Sequence, residues 1–242
     1  MTDFLFLTDS YLSEFESVVT KVEDDLIFLN KTAFYPEGGG QPCDTGIIHY
    51  NSNKSNVISV NKKDGDVAHK LSGPIPEVGV TIKGIIDWDN RYNYMKYHTA
   101  LHILCGAVFE LYGGLITGGQ IYKDRARLDF DLEQFNKETI LKIENRTNEI
   151  VKENHPIQVK SIPREEAENI QDLIRTKVNL LPPNLKEIRL VDIVDFDQQA
   201  DGGTHVASTG EVGEVKIVKK GRAELDMRFQ SGGENYEIVF KE

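Results

Sequence analysis

The sequence predicts an α+β fold, in which a small N-terminal β-barrel precedes an α+β domain built around one long central helix. Short strand-like runs at near-regular spacing fill the first 90 residues. A helical pattern without breakers then extends over about 20 residues, and helices followed by strands come after it, with no βαβ alternation. We therefore predict two domains, 1–90 and 91–242.

The N-terminal strands are predicted from apolar runs that lie between Gly, Asn, Asp and Pro residues. This pattern is typical of a small barrel or sandwich. The segments Asn51–Lys54 and Asp64-Gly65 have the composition of hairpin turns. The predicted strands are Ser17–Val22, Asp25–Asn30, Gly46–Tyr50, Asn56–Asn61 and Gly79–Asp87.

The central helix is predicted over Arg91–Tyr112, where apolar residues recur at helical spacing. Gly113-Gly114 follows it, and helices commonly end at glycine. At 1.5 Å per residue this helix is about 30 Å long, the length of a central element of a domain.

Smaller elements complete the second domain. A hairpin is predicted over Leu115–Asp131 with a bulge or turn at Gly118-Gly119, and a second helix over Asn136–Asn154 that His155-Pro156 stops. A shorter helix follows Pro163. The predicted strands are Glu187–Phe196, Val212–Lys219, Ala223–Phe229 and Glu237–Lys241.

Composition indicates a cytoplasmic globular protein. The 242 residues are 39% hydrophobic and 28% charged, and no run approaches the roughly 18 apolar residues of a membrane span. The N-terminus carries acids where a signal peptide needs a basic start. The two cysteines, Cys43 and Cys105, are too few for a disulfide framework.

The charge balance argues against a general nucleic-acid coat. There are 28 Lys and Arg against 39 Asp and Glu, a formal net charge of −11, whereas non-specific phosphate binding needs concentrated positive charge. Local basic runs are most often solvated strand faces. Two such runs are Lys123, Arg125 and Arg127, and Lys216, Lys219, Lys220 and Arg222.

Two histidines on the predicted central helix are candidate metal ligands. His98 and His102 are four residues apart, so they lie one turn apart on one face and can share an ion. Two hydrogen-bonded core histidines are the equally weighted alternative. No Glu follows His98 directly, so the His-Glu-x-x-His signature of zinc proteases is absent.

A second candidate is the segment Asp201-Gly202-Gly203-Thr204-His205 between two predicted strands. Two glycines permit a loop tight enough for Asp201 and His205 to converge, although the segment alone is most simply a polar turn. Combined with the helical pair it supplies the third and fourth ligands of a tetrahedral site that suits zinc.

The remaining histidines and Cys105 are not predicted to bind the metal. On a straight helix Cys105 cannot readily reach one ion together with both histidines, and we predict a buried small apolar residue there. Surface positions are predicted for His49, His69 and His155.

The third candidate is the glycine-rich segment from Thr32 to Gly46, which contains Gly38-Gly39-Gly40-Gln41. Three consecutive glycines let the backbone approach a ligand and offer several N–H donors. The Gly-Lys-Ser/Thr ending of a phosphate loop is missing, which excludes a typical nucleoside triphosphate site. A functional loop is favoured over a plain strand connection.

These segments together resemble a known family. Phe34-Tyr35-Pro36 with Gly38–Pro42, His98-Thr-Ala-Leu-His102, Arg127–Phe130 and Gly202-Gly203-Thr204-His205 occur in the order seen in the editing domain of alanyl-tRNA synthetase. The chain is similar to the free-standing AlaX alanyl-tRNA editing proteins, in their medium-length form, and the resemblance covers nearly the whole chain.

The resemblance implies roles for individual residues. His98, His102 and His205 match the metal-binding histidines, whereas Asp201 stands at the family's cysteine position. Asp201 either ligates the ion directly or leaves three protein ligands plus water. Thr32 matches the threonine that helps to discriminate serine from alanine.

Two further positions come from the same resemblance. Gln41 belongs to the glycine motif, and Thr117 falls near a polar pocket position. We expect catalytic roles at Thr32, Gln41 and Thr117. Main-chain N–H groups of Gly38, Gly39 and Gly40, or of Gly202 and Gly203, are expected to bind substrate or the oxyanion.

The implied reaction is hydrolysis of the ester that joins a wrong amino acid to tRNA(Ala), with serine as the first substrate and glycine as the second candidate. One Zn2+ per chain is the implied cofactor, acting on water or as a substrate anchor. Two alternatives stay open: a zinc-dependent hydrolase of a small ester or amide, and a non-catalytic tRNA-binding module with a structural zinc. The sequence predicts no membrane partner and no particular oligomeric state.

Overall fold

The computed structural model describes residues 2–132, 136–170, 172–178, 181, 185–219 and 224–229. The chain divides into two compact units, Met1–Met95 and Lys96–Glu242. The first unit contains a closed barrel of six strands in the order β2-β3-β7-β6-β5-β8, all paired antiparallel. The strands of the first unit are β1 (Asp3–Phe4), β2 (Glu14–Glu23), β3 (Leu26–Leu29), β4 (Lys31–Thr32), β5 (Gly46–Tyr50), β6 (Asn53–Lys63), β7 (Asp66–Ser72) and β8 (Thr81–Ile86).

Alternation of side chains along the strands builds the barrel interior. In the first half of β2 every second residue is buried, namely Phe15, Ser17 and Val19. Phe15 lies opposite Gly84 of β8, where a Cβ atom would be only 2.5 Å from the ring. Glycine at 84 therefore makes room for the aromatic ring that fills this part of the core.

Strands β6 and β7 form a hairpin that the sequence predicted only in part. Asp64 and Gly65 take left-handed φ values of 52° and 80°, and the predicted turn is confirmed. Strand β7 was missed because Val67, Ala68 and His69 are consecutive buried residues, which breaks the expected alternation.

Helix α1 (Trp88–Tyr112) begins three residues before the predicted start. The carboxylate of Asp87 accepts the N–H of Asn90 at 3.4 Å, and its carbonyl accepts the N–H of Arg91, so Asp87 caps the first turn. The helix ends as predicted before Gly113, whose φ is +66°. Its middle turns, from Tyr97 to Val108, are buried on all sides and belong to the second unit.

A hairpin of β9 (Ile116–Ile121) and β10 (Ala126–Phe130) follows. The sequence placed a bulge or turn at Gly118-Gly119, but both glycines lie within β9, and the turn closes between Tyr122 and Arg125. The register skips Thr117, so the bulge lies one residue earlier than predicted.

Helix α2 spans Lys137–Glu153. The two residues predicted as its bounds, Asn136 and Asn154, are its N-cap and C-cap. The side chain of Asn136 accepts the N–H of Thr139 at 2.8 Å, and Asn154 is left-handed with φ of 55°. Its apolar residues Ile140, Ile143, Ile150 and Val151 are buried and recur at helical spacing, so the helix packs through one amphipathic face.

Two antiparallel sheets complete the second unit. Strands β11 (Ile157–Pro163), β12 (Glu187–Ile193) and β13 (Asp197–Ala200) form one sheet, and β14 (Val215–Lys219) and β15 (Glu224–Phe229) extend the β9–β10 hairpin in the order β14-β15-β10-β9. A short helix α3 (Arg164–Ala167) follows Pro163 as predicted, and 3-10 turns cover Leu5–Leu7 and Thr209–Val212.

The predicted α+β class with an N-terminal barrel and a long helix is confirmed. Strand β11 was not predicted because its apolar–polar alternation covers only Ile157 to Lys160, and Ile162 is its one buried residue. The predicted strand Glu187–Phe196 ends earlier, at Ile193, because Asp195 turns the chain into β13. The strand predicted at Glu237–Lys241 lies outside the described residues. Among the described helices, none is long and apolar enough to cross a membrane.

Candidate metal centre

Helix α1 places two imidazoles side by side in the buried interior of the second unit. His98 and His102 are separated by one turn, with ring centroids 5.2 Å apart, and each is less than 10% exposed. Burial at this depth keeps competing water from the ring nitrogens. The helical pair predicted from the sequence therefore faces one enclosed point.

The loop after β13 brings Asp201 and His205 to the same point. A guanidinium N–H of Arg189 donates to the main-chain carbonyl of Asp201 at 2.9 Å, which ties the loop to β12. The N–H of Gly203 donates to the Asp201 carboxylate at 2.5 Å. A Cβ atom at Gly203 would be 2.1 Å from His98 Cε1, so only glycine lets the loop lie against the helix here.

The four side chains form one cluster. Asp201 Oδ1 lies 3.6 Å from His98 Nε2, and Asp201 Oδ2 lies 3.1 Å from His205 Nε2. All four potential ligand atoms lie within 4.8 Å of one another. Bonds of about 2.0–2.2 Å to a tetrahedral ion place the ligands about 3.3–3.6 Å apart. The cluster therefore fits a divalent cation once the more distant ligand atoms move closer by about 1 Å.

Electrostatics favour the metal-binding protonation states. Burial lowers the pKa of His205 to about 4 and holds the pKa of His102 well below its ordinary value; it also lowers the pKa of His98. Burial alone would raise the pKa of Asp201, but the three imidazoles around it hold that pKa well below the usual range. At neutral pH the cluster thus offers three neutral imidazoles and one carboxylate, which suits a divalent cation.

The glycine-rich segment lies in the first unit and adopts a tight turn. Gly38 and Gln41 exchange two backbone hydrogen bonds, of 3.2 and 3.0 Å, and the intervening Gly39 and Gly40 have φ values of 59° and 78°. Two successive left-handed residues explain the glycines. The side chain of Gln41 is buried.

An ion pair that sequence reasoning missed anchors this segment. The Asp44 carboxylate accepts the Tyr35 N–H at 2.6 Å and the Arg91 Nε–H at 3.0 Å. Arg91 also donates to the carbonyls of Ser10 and Ala33. Arg91 and Asp44 are fully buried. The sequence features that could have predicted this ion pair are an Asp at the end of the glycine-rich segment and an Arg at the start of the predicted helix.

Thr32 lies in a buried hydrogen-bond chain with His69. Its hydroxyl oxygen is 2.8 Å from His69 Nε2, and it accepts the N–H of Phe34 at 3.1 Å. His69 Nδ1 lies 3.3 Å from the Ile27 carbonyl, which only accepts. Nδ1 therefore carries the hydrogen, and the Thr32 hydroxyl donates to the bare Nε2.

The surface assignment of His69 was wrong, because the ring is fully buried inside the barrel. His49 is exposed and His155 is half-buried, as their predicted surface positions require. Cys105 is buried, as predicted. Thr117 is exposed on β9.

The basic run of β10 and the preceding turn is largely neutralised by acids. Arg125 lies 3.7 Å from Asp226, and Arg127 lies 3.3 Å from Asp129 and 3.7 Å from Glu224. Arg125 and Arg127 are 27% and 33% exposed, so this part of the run is less solvated than predicted. In the second run, Lys216 pairs with Glu144 at 2.6 Å, whereas Lys220 and Arg222 lie outside the described residues.

Folding stability is expected to decrease as the pH is lowered, because the folded protein buries His69. Burial lowers the pKa of His69 from 6.5 to about 4, so between these values the unfolded chain takes up a proton that the folded chain does not. The contribution is fully present above pH 6.5 and is lost as pH falls towards 4, by about 3 kcal/mol over the whole window. Urea unfolding of the parent and of His69→Gln at several pH values measures it. Equal pH dependence in the two proteins would contradict the assignment.

Sequence comparisons identify the relatives of this chain. Residues 5–90 match the family described as tRNA synthetases class II (A), and residues 188–231 match the threonyl and alanyl tRNA synthetase second additional domain. The chain is 38% identical to the alanyl-tRNA editing protein AlaX-M of Methanosarcina acetivorans, over 95% of this chain and 98% of the relative. It is 40% identical to AlaX-M of Saccharolobus solfataricus, over 90% and 93% respectively.

A longer relative matches the same stretch. The alanine–tRNA ligase of Thermococcus kodakarensis is 38% identical over 91% of this chain, which corresponds to 24% of the ligase. The barrel and the second additional domain thus belong to a class of modules that occurs both in alanyl-tRNA synthetases and in smaller proteins. At 38–40% identity over nearly their full length, the chain belongs to the family of AlaX-M alanyl-tRNA editing proteins. The resemblance read from the ordered motifs is confirmed.

Proposed function

We propose that this protein hydrolyses mischarged tRNA(Ala), removing serine and also glycine, with one zinc ion held by His98, His102, His205 and Asp201. The observation that carries the proposal is the buried cluster of these four side chains in a chain of the AlaX-M family. Relatives named for alanyl-tRNA editing support a deacylase reaction on an aminoacyl ester. We assign the barrel to residues 1–90 and the editing domain to 91–242.

Ester hydrolysis needs an activated water and donors for the developing oxyanion. When bound, zinc supplies Lewis acidity, which serves to polarise a carbonyl, to activate water or to anchor the substrate. The three histidines of the cluster are buried and Asp201 is partly exposed, and this limited access of solvent strengthens electrostatic interactions within the cluster. Main-chain N–H groups of Gly38–Gly40 or of Gly202 and Gly203 are the proposed substrate and oxyanion donors.

Selectivity for serine is proposed to come from hydrogen bonding. Serine exceeds alanine by one hydroxyl, and a polar site that bonds this hydroxyl disfavours the analogue that lacks it. Thr32 donates its own proton to His69, so its oxygen can only accept a hydrogen bond from a substrate hydroxyl. Gln41 and Thr117 are proposed to act with it.

The proposed partner is the aminoacylated end of tRNA(Ala), and the proposed compartment is the cytoplasm. A formal charge of −11 makes broad, sequence-independent RNA binding unfavourable. We therefore expect recognition to depend on local contacts, with affinity that decreases as salt rises.

A second candidate is a tRNA-binding module in which the metal is structural. Four protein donors in one cluster are the number that a closed structural zinc site uses, whereas catalytic sites keep one position open. Deacylation of Ser-, Gly- and Ala-tRNA(Ala) by the purified protein, with and without a chelator, separates the two candidates. Chelator-sensitive release of serine supports the enzyme, and tight binding without release supports the module. Hydrolysis of small esters without salt-sensitive tRNA binding would support the hydrolase alternative instead.

Variants at Asp201 test whether this carboxylate ligates the ion. We expect Asp201→Ala to lose more zinc than Asp201→Cys, because a thiolate can replace the carboxylate as the fourth donor. The loss of affinity in Asp201→Ala is expected to be at least about 100-fold, more than for an outer partner of a ligand. Elemental analysis after dialysis against a weak chelator measures it. Equal zinc retention in both variants would exclude direct ligation.

A further inference from the structure

The ring of His205 has two nitrogens with different surroundings. Nε2 lies 3.1 Å from the Asp201 carboxylate, inside the ligand cluster. Nδ1 points the other way, 3.1 Å from the hydroxyl oxygen of Thr99. An ion that binds through Nε2 uses the lone pair of that nitrogen, so the hydrogen of the neutral ring must then be on Nδ1, where the Thr99 hydroxyl oxygen lies in position to accept it.

Thr99 is fully buried on helix α1, immediately after His98. Its hydroxyl oxygen also accepts the main-chain N–H of Val206 at 3.3 Å. One side chain therefore contacts both the ring of His205 and the backbone that follows it. These contacts fix the loop that carries Asp201 and His205 against the helix that carries the other two histidines.

We propose that Thr99 is a positioning residue for the metal centre: it holds the ring of His205 with Nε2 directed at the ligand cluster, and it accepts the Nδ1 hydrogen of the ring when Nε2 binds an ion. This inference rests on the proposed function, since it assumes that the cluster binds a metal ion. Thr99 itself supplies no ligand atom. Its contribution is to fix the orientation of the ring before the ion arrives, as outer partners of ligating histidines commonly do.

The structure specifies the consequence of removing the hydroxyl. Thr99→Val keeps the size and branching of the side chain, but it leaves the Val206 N–H without this acceptor and, when Nε2 binds an ion, the His205 Nδ1–H as well. The ring then gains freedom to turn about its bond to Cβ or to change tautomer. We expect a 10- to 100-fold loss of zinc affinity, the range typical of changes in outer partners of metal ligands.

A matched control exists in the same unit. Thr147 is a fully buried threonine on helix α2, and its hydroxyl oxygen has no hydrogen-bond partner among the described residues. Thr147→Val therefore makes the same chemical change without removing a bond. Thr99→Ser restores the hydroxyl and serves as the conservative rescue.

The test is the zinc dissociation constant of the parent, Thr99→Val, Thr99→Ser and Thr147→Val, measured by competition with a chromogenic chelator. Weakened binding in Thr99→Val alone supports the proposal, as does an altered visible absorption spectrum of its Co2+ form. Should Thr99→Val not fold, Thr99→Ala compared with Thr99→Ser provides the same contrast.

Two results separate the inference from the function on which it rests. Unchanged zinc affinity in Thr99→Val, with a parent protein that binds one zinc, overturns the role of Thr99 and leaves the metal centre intact. A parent protein that binds no zinc overturns the metal centre itself.

Discussion

His98→Ala is expected to lose zinc and deacylase activity together. The variant removes one of four donors from a buried cluster, and we expect metal affinity to fall at least about 100-fold, more than for an outer partner. Activity on Ser-tRNA(Ala) should fall in proportion to the metal content. Elemental analysis and a deacylation assay on the same preparation measure both quantities.

His49→Ala is the matched control for this variant, because His49 is exposed and lies outside the cluster. It should keep both zinc and activity. The double variant His98→Ala/His102→Ala keeps only two of the four donors, so its zinc content should be lower still. Full zinc content in that double variant would refute the assigned ligand set.

Thr32→Val is expected to reduce serine removal and to narrow the discrimination against alanine. The substitution keeps the size of the side chain but removes the oxygen proposed to accept the serine hydroxyl. A polar contact of this kind corresponds to about 10- to 100-fold in rate on Ser-tRNA(Ala), with little change on Ala-tRNA(Ala). Initial deacylation rates on both substrates give the ratio.

Stability must be followed in the same experiment. Thr32→Val also leaves His69 Nε2 and the Phe34 N–H without their present partner, so a lower melting temperature is expected. Thr32→Ser keeps the hydroxyl and should retain serine removal. Unchanged rates of Thr32→Val on both substrates would remove Thr32 from the specificity site.

The ligand cluster illustrates what the sequence can predict. The spacing of His98 and His102 sets them on one helical face, and two glycines allow Asp201 and His205 to share a tight loop. Their convergence is a long-range property that no local spacing determines; it was inferred from the complementary ligand count of the two segments, and the ordered family motifs supported it. Glycine is required at position 203 because a Cβ atom there would collide with the ring of His98.

Other features were outside the reach of sequence patterns. The burial of His69 depends on strand β7, which has three consecutive buried residues and so lacks the alternation that reveals a strand. The pairing of Arg91 with Asp44 joins residues 47 positions apart. Helix bounds were well predicted where caps define them, as at Asn136 and Asn154, because capping is a local interaction.

The most direct test of the central claim is a zinc titration of chelator-stripped protein with the rate of Ser-tRNA(Ala) deacylation as the readout. The proposed centre predicts that activity is lost on stripping, rises with added zinc and reaches a plateau at one equivalent per chain. Full activity of the stripped protein at less than a hundredth of an equivalent of residual zinc would contradict it.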